Sequence, residues 1–166
     1  IRGVHDFVRK SEPKLAPCDL ATVIDESIGF IEPAARQQGV RIECCIASTS
    51  TELIADSGML EQVLLNVLRN GIEAMAAAPV NRRVLRIDLS ATEEHYQLRI
   101  SDRGCGIAPA VREQLFSPFF TTKVTGMGMG LNICRSIIEF HHGRLWAEDN
   151  PEGGAIFIIV LPKHVP

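Results

Sequence analysis

Apolar positions recur along this chain with two different periods, and the changes of period mark out its elements. Between residues 19 and 39, Leu20, Val23, Ile24, Ile28, Ile31 and Ala35 fall on one face at helical spacing. The stretch predicts an amphipathic helix with Asp19 as N-cap and Pro33 as a disturbance within it. A longer stripe, Leu60, Val63, Leu64, Val67, Leu68, Gly71, Ile72 and Met75, predicts a helix over about 58–77 behind the capping pair Asp56-Ser57. A third helix is predicted over 131–140, with Gly143 as its stop. Strand-like alternation occurs at 40–46, 52–55, 82–92, 95–101, 143–148 and 155–161. The pair 82–92 and 95–101 reads as a hairpin through Glu93-Glu94, and the last two strands are joined by a turn at Asn150-Pro151-Glu152-Gly153-Gly154. A short helix follows Pro109 to about 115. Residues 1–10, apolar at Ile1, Val4 and Val8, read as the tail of a helix, with Pro13 and Pro17 leaving 11–18 as a linker or hook.

The polar residues beside these stripes carry the chemistry. Gln62, Asn66, Asn70 and Glu73 form a second row next to the buried face of the long helix. Asn is a mediocre helix former, so two of them one turn apart suit a cleft wall near a hydrated cation, since an amide oxygen suits Mg²⁺ and Mg²⁺ keeps most of its waters. A solvated polar face would look the same on this helix alone. The strand at 95–101 runs into Asp102-Arg103-Gly104-Cys105-Gly106-Ile107, which sets one carboxylate at a cleft floor while the backbone bends around a ligand. Further on, Gly126-Met127-Gly128-Met129-Gly130-Leu131 feeds the third helix. Such a run can aim free N–H groups and a helix dipole at an anion, although hinges and tight turns share the pattern.

Composition narrows the class. At 166 residues, 46% apolar and 22% charged, the chain suits one globular domain, or one with a short appendage. A net charge of −3 gives no electrostatic case for nucleic acid or an anionic membrane. No apolar run approaches the roughly 20 residues that span a bilayer, and no signal peptide is visible. The chain opens on Ile1, so it is expected to be part of a longer protein, and a membrane segment elsewhere in that parent stays open. Five cysteines without a Cys-x-x-Cys pair are expected to be buried, reduced thiols rather than zinc ligands, and the domain to be cytoplasmic whether its parent is soluble or membrane-anchored.

In order and spacing, the Asn66-x-x-x-Asn70 helix, Asp102-x-Gly104-x-Gly106-Ile107, Phe116-x-x-Phe119-Phe120 with Thr121-Thr122-Lys123, and Gly126-x-Gly128-x-Gly130-Leu131 resemble the N, G1, F and G2 boxes of the ATP-binding domain of sensor histidine kinases. That domain belongs to the superfamily shared with gyrase, Hsp90 and the MutL ATPases. The likeness covers about 19–163 and looks closest to kinases of the FixL and TodS type.

The resemblance implies a two-layer α/β (α+β) sandwich, the Bergerat ATP-binding fold: a mixed sheet of about five strands with three main helices on one face. Residues 1–18 would be the end of a dimerisation helix and its linker, and 19–166 the catalytic domain. The nucleotide would lie between the helices under a lid spanning about 116–130. Asp102 would accept a hydrogen bond from the adenine amino group, with Gly104 and Gly106 letting the backbone pass the base and Ile107 packing on it. Asn70 would be the Mg²⁺ ligand and Asn66 would stand near the phosphates. Thr121, Thr122 and Lys123 would sit beside the phosphates, Lys123 in contact. Gly126, Gly128 and Gly130, with Leu131 after them, would supply N–H groups and lid mobility. An Asp suits adenine because guanine presents a carbonyl where adenine presents a donor, and an unpaired buried carboxylate can discriminate by about 10⁴. The Phe116, Phe119 and Phe120 cluster reads as packing at the lid hinge.

The activity implied is transfer of the γ-phosphoryl group of Mg-ATP to a histidine on separate dimerisation helices of the same homodimeric parent, for passage to a response-regulator receiver domain. The segment around His5-Asp6 does not look like that acceptor. Gly153-Gly154-Ala155-Ile156-Phe157 lacks the Thr that this family usually carries near the adenine, and Cys105 inside the G1 box is a site for thiol reagents. Two other functions stay open: another member of the superfamily, either a protein-serine kinase or a hydrolytic ATPase, and a docking module that only senses nucleotide. The hydrolytic enzymes carry a Glu four residues before the metal asparagine; here that position is Asn66, and four before it stands Gln62.

Overall fold

The computed structural model describes residues 12–117 and 130–164. Its elements are β1 (Ala16–Asp19), α1 (Leu20–Gln37), β2 (Arg41–Ile46), β3 (Glu52–Ala55), α2 (Ser57–Ala74), a 3₁₀ turn (Val80–Arg82), β4 (Val84–Ala91), β5 (His95–Ser101), α3 (Pro109–Arg112), α4 (Gly130–Phe140), β6 (Arg144–Asp149) and β7 (Ala155–Pro162). Five strands make one mixed sheet in the order β2-β4-β5-β7-β6, parallel only between β2 and β4. β1 and β3 form a separate antiparallel ribbon.

The helix faces follow from the periodicity. Asp19 caps α1 by accepting from the Ala21 N–H at 3.1 Å, and Asp56 caps α2 by accepting from the Met59 N–H at 3.1 Å. Leu20, Val23, Ile24, Ile31 and Ala35 of α1, the full apolar stripe of α2, and Cys134, Ile137 and Ile138 of α4 are all buried. They share one core with the inward rows Leu85, Ile87 and Leu89 of β4, Tyr96, Leu98 and Ile100 of β5, and Phe157, Ile159 and Leu161 of β7. α1, α2 and α4 therefore pack on one face of the sheet, giving two layers. β7 is buried on its outer side too: Ile158, in register between Arg99 and Trp146, is buried.

Some expectations need correction. The stretch 11–18 contains a strand: residues 16–19 pair with β3 in spite of Pro17, which sits on a ribbon rather than inside a sheet. α2 ends at Ala74 and β4 begins at Val84, with the 3₁₀ turn between them. The short helix after Pro109 stops at Arg112. At the end of α4 the left-handed residue is His142 (φ 63), not Gly143, and the His142 and Gly143 N–H groups close the last turn onto Glu139 and Ile138. Of the five free cysteines only Cys134 is buried; Cys44, Cys45 and Cys105 are exposed and Cys18 is intermediate.

Candidate nucleotide-binding site

The site is anchored where β5 leaves the sheet. The Asp102 N–H donates to Ala155 O at 2.9 Å, which extends the pairing with β7 by one residue and fixes the Asp102 backbone. As a residue Asp102 is only 3% exposed. Oδ1 accepts from the Gly104 N–H at 2.9 Å and the Ala155 N–H at 3.2 Å, and among the described residues Oδ2 receives no donor. Burial pushes the carboxyl above its ordinary value and the two N–H groups pull it back in part. The result is an oriented acceptor with one oxygen held by backbone and one left to offer.

Two backbones close on this carboxylate from either side. A Cβ on Gly104 would stand 2.3 Å from Ala74 O at the end of α2, where the Cys105 N–H also donates at 3.3 Å. On the other side Gly154, with φ +101, lies so close that a Cβ would meet Asp102 O at 2.3 Å. Neither contact leaves room for a side chain. Ile107 packs partly buried against the core beyond Gly106.

The other end of the cleft is polar and wetter. Asn66 and Asn70 are half-buried on α2, flanked by exposed Gln62 and Glu73. Asn66 Nδ2 donates to Gln62 O at 3.0 Å, and its Oδ1 is turned toward the start of α4, 3.3 Å from where a Cβ on Gly130 would be. Gly130 and Leu131 open that helix, whose first N–H groups and dipole suit an anion. Ala74 and Asn66 are eight residues apart, about 12 Å of helix, so α2 runs from the buried acceptor to the start of α4 over the length of a nucleotide. Among the described residues no cluster of three His, Cys, Asp or Glu could hold a metal by itself. Amide oxygens alone fit a hydrated Mg²⁺ whose other ligands are phosphates and water.

Phe116 packs edge-on against Phe157 with centroids 6.5 Å apart, and the Arg135 guanidinium lies 5.6 Å over its ring. Cys134, behind Asn66, is an inert thiol pushed up to about 12 by burial. Thr121, Thr122, Lys123, Gly126 and Gly128, with Phe119 and Phe120, lie outside the described residues. The structure thus joins Asp102 to Gly104, and Asn66 to Gly130, with α2 as the common wall. Sequence reasoning missed Asn150, Gly154 and the Ala155 N–H as supports of Asp102. The Gly153-Gly154 pair was visible, but as a turn only. A groove of about 330 Å³ lined by Glu43, Arg86, Arg103 and Glu152 opens on the sheet face away from the helices. Its charges are paired with one another, so the chemistry lies with Asp102.

Residues 55–165 match the model of the histidine kinase-, DNA gyrase B- and HSP90-like ATPase family. The chain belongs to this family. Its relatives within the family are sensor histidine kinases. The C4-dicarboxylate transport sensor protein DctS of Rhodobacter capsulatus is 44% identical over 98% of this chain and 25% of its own length. The sensor protein FixL of Bradyrhizobium diazoefficiens is 40% identical over 98% of this chain and 32% of its own. The chain therefore spans about a quarter to a third of these relatives. The catalytic domain of the histidine kinase ThkA superposes with a TM-score of 0.81 at 30% identity, covering 91% of this chain and 97% of that one. ThkA has also been solved in complex with the response regulator protein TrrA, where the TM-score is 0.76 at 28% identity over 96% of this chain and 46% of that one. The fold is thus the two-layer sandwich of a histidine kinase catalytic domain, the part that binds ATP. No helix among the described residues is long and apolar enough to cross a membrane.

Proposed function

We propose that this domain binds Mg-ATP and donates the γ-phosphoryl group to a histidine on dimerisation helices of the same parent protein, from which the group passes to a receiver-domain aspartate. Residues 1–18 are the end of such a helix with its linker, 19–166 the catalytic domain, and the whole works in the cytoplasm as part of a homodimer. The observation that carries the reading is the buried Asp102 carboxylate, with Oδ1 held by the Gly104 and Ala155 N–H groups. It accepts from the adenine amino group through its other oxygen. A guanine carbonyl in that place would leave both oxygens facing each other.

The remaining roles follow the cleft. Ile107 packs on the base. The N–H groups at Gly130 and Leu131 hold phosphate oxygens, and Asn66 orients them. Thr121, Thr122, Lys123, Gly126 and Gly128 complete the phosphate side. Asn70 holds Mg²⁺, which when bound neutralises charge on the phosphate oxygens. Positioning and charge neutralisation are most of what phosphoryl transfer asks of a protein. The row Gln62, Asn66, Asn70 offers amides where a hydrolase would place a carboxylate base for water, which favours transfer to a histidine over hydrolysis.

The test is to incubate the chain with γ-labelled ATP, Mg²⁺ and the dimerisation helices of its parent. Label should appear on the helices as a phosphoramidate, lost in acid and kept in base. Acid-stable label would mean a serine or threonine acceptor, and free phosphate without label would mean hydrolysis; either sinks the reading.

A further inference from the structure

The turn between β6 and β7 is closed by one side chain. Asn150 donates through Nδ2 to Asp102 O at 2.8 Å, and its Oδ1 accepts from the Glu152 N–H at 3.1 Å. Its own N–H donates to Gly154 O at 3.0 Å, and its carbonyl accepts from the Gly153 N–H at 2.8 Å. Four hydrogen bonds from one residue therefore fold the turn and tie it to the backbone of the candidate adenine acceptor.

The turn needs such ties. Gly153 and Gly154 both have left-handed torsions, φ +94 and +101, and glycine has the most freedom to leave any conformation it is given. A second tie comes from outside. Exposed Arg82, at the end of the 3₁₀ turn, donates through Nη2 to Glu152 O at 2.7 Å. Arg83 beside it locks that segment in place by donating to Ala78 O, Gln38 O and Ala76 O at 2.9, 2.7 and 2.9 Å, across the ends of α1 and α2. The residue directly after the two glycines is Ala155, whose N–H holds Asp102 Oδ1. Ala155 is the first residue of β7, so a change in the turn reaches that donor directly from its N-terminal side, and a carboxylate that loses one of its two donors can turn about its Cβ–Cγ bond.

We propose that Asn150 and Arg82 are positioning residues for purine selection: by fixing the 150–154 turn they hold the Ala155 N–H on Asp102 Oδ1 and keep Oδ2 as the oxygen offered to a C6 amino group. This rests on the reading of Asp102 as the adenine acceptor. The two residues touch no substrate; they act through the turn. Precise placement matters here because a polar group displaced by even about 1 Å loses much of its effect on a reacting or binding partner.

The test is a ratio. The chain is titrated with Mg-ATP and with Mg-ITP, whose base has a carbonyl at C6, and with inorganic tripolyphosphate, which has no base. Asn150→Ala, Asn150→Asp and Arg82→Ala are compared with wild type. Asn150→Asp keeps the acceptor for the Glu152 N–H and removes the donor to Asp102 O. The ATP-to-ITP preference should fall about tenfold in both Asn150 variants and about threefold in Arg82→Ala, with tripolyphosphate affinity unchanged. Arg82→Lys, which can still reach one carbonyl, should recover most of the preference. A preference within twofold of wild type in all three variants overturns the proposal, as does an equal loss of tripolyphosphate affinity, which would mark general weakening. Arg82 is exposed, so its variant stays informative if the Asn150 variants fail to fold. Asp102→Asn separates the two layers of the argument: if it abolishes the preference while the turn variants keep it, only the positioning role falls. If Asp102→Asn also keeps the preference, the adenine reading falls and takes this one with it.

Discussion

The two ends of the cleft are built by opposite means. At the proposed adenine end the acceptor is fixed by backbone: Asp102 is 3% exposed, its Oδ1 is held by two N–H groups, and glycines bring α2 and the β6–β7 turn up against it. At the proposed phosphate end the groups are side-chain amides on a half-exposed helix row, and the N-terminus of α4. The difference tracks what each end must recognise. A purine edge is distinguished by one donor or acceptor, so the reader must be dry and rigid enough that a mismatch cannot be repaired by water. A triphosphate carries charge in every direction and arrives with a hydrated cation, so that end can stay wet and still bind.

The largest effect should come from breaking the rigid end at its tightest contact. Gly154→Ala places a methyl 2.3 Å from Asp102 O at a φ of +101, so both sterics and torsion oppose it. A loss of about 2–5 kcal/mol in stability is expected in denaturant unfolding, together with loss of ATP binding. Gly29→Ala is the control: it lies inside α1 with nothing within 4 Å of its would-be Cβ, and should stabilise by up to about 1 kcal/mol. Equal behaviour of the two would mean that the close approach at Gly154 is not there.

Asp102→Asn comes next. The fold should survive, since the amide oxygen can still accept from Gly104 and Ala155, but an NH₂ then faces the adenine NH₂. ATP affinity should fall about 10²–10³-fold with the melting temperature at neutral pH not lowered. Wild-type-like calorimetric titrations would remove Asp102 from the site.

Asn70→Ala tests the wet end, and more gently. Affinity for ATP should fall about tenfold in Mg²⁺ and hardly at all in chelator, because one amide ligand among waters and phosphates is replaceable. An equal loss with and without Mg²⁺ would place Asn70 on the nucleotide rather than on the metal.

The same contrast explains what could be read in advance. The helices were legible because their faces repeat every 3.6 residues: each residue of the α2 stripe from Leu60 to Met75 is buried where the period puts it. Asp102 was legible as a carboxylate leaving a strand into Gly-x-Gly. Its supports were not. Asn150 and Ala155 lie about 50 positions further on, and what they contribute is one amide and one backbone N–H, which no residue type advertises. β1 was hidden for a related reason: its pairing with β3 is a ribbon outside the main sheet, and two prolines around it read as a linker. The exposed cysteines were misjudged because a thiol is usually buried, whereas Cys44 and Cys45 sit on β2 at the edge of the sheet, where no strand covers them on one side.

The smallest and most discriminating effect is on pH dependence. Folding raises the Asp102 pKa above its ordinary 3.8, chiefly by burial. Below the ordinary value the group is protonated in the folded and unfolded states alike and contributes nothing; above the raised value it is ionised in both and its burial costs stability in full. The domain without nucleotide should therefore lose stability from this group as pH rises through that window, while affinity for adenine, which needs the ionised acceptor, should rise over the same window. Asp19 has the opposite sign: its pKa is lowered, first by the Thr51 hydroxyl, so its contribution is present above the ordinary value and is lost as pH falls through the lowered one. Comparing wild type with Asp102→Asn at each pH cancels Asp19 and the titration of the phosphates themselves. As pH falls into the window, the wild-type advantage in ATP affinity should shrink toward one while its stability deficit relative to the variant disappears. Both gaps should close together, because one proton on one carboxylate governs them. If the affinity gap closes and the stability gap does not, the acceptor that reads adenine is not the buried group that strains the fold.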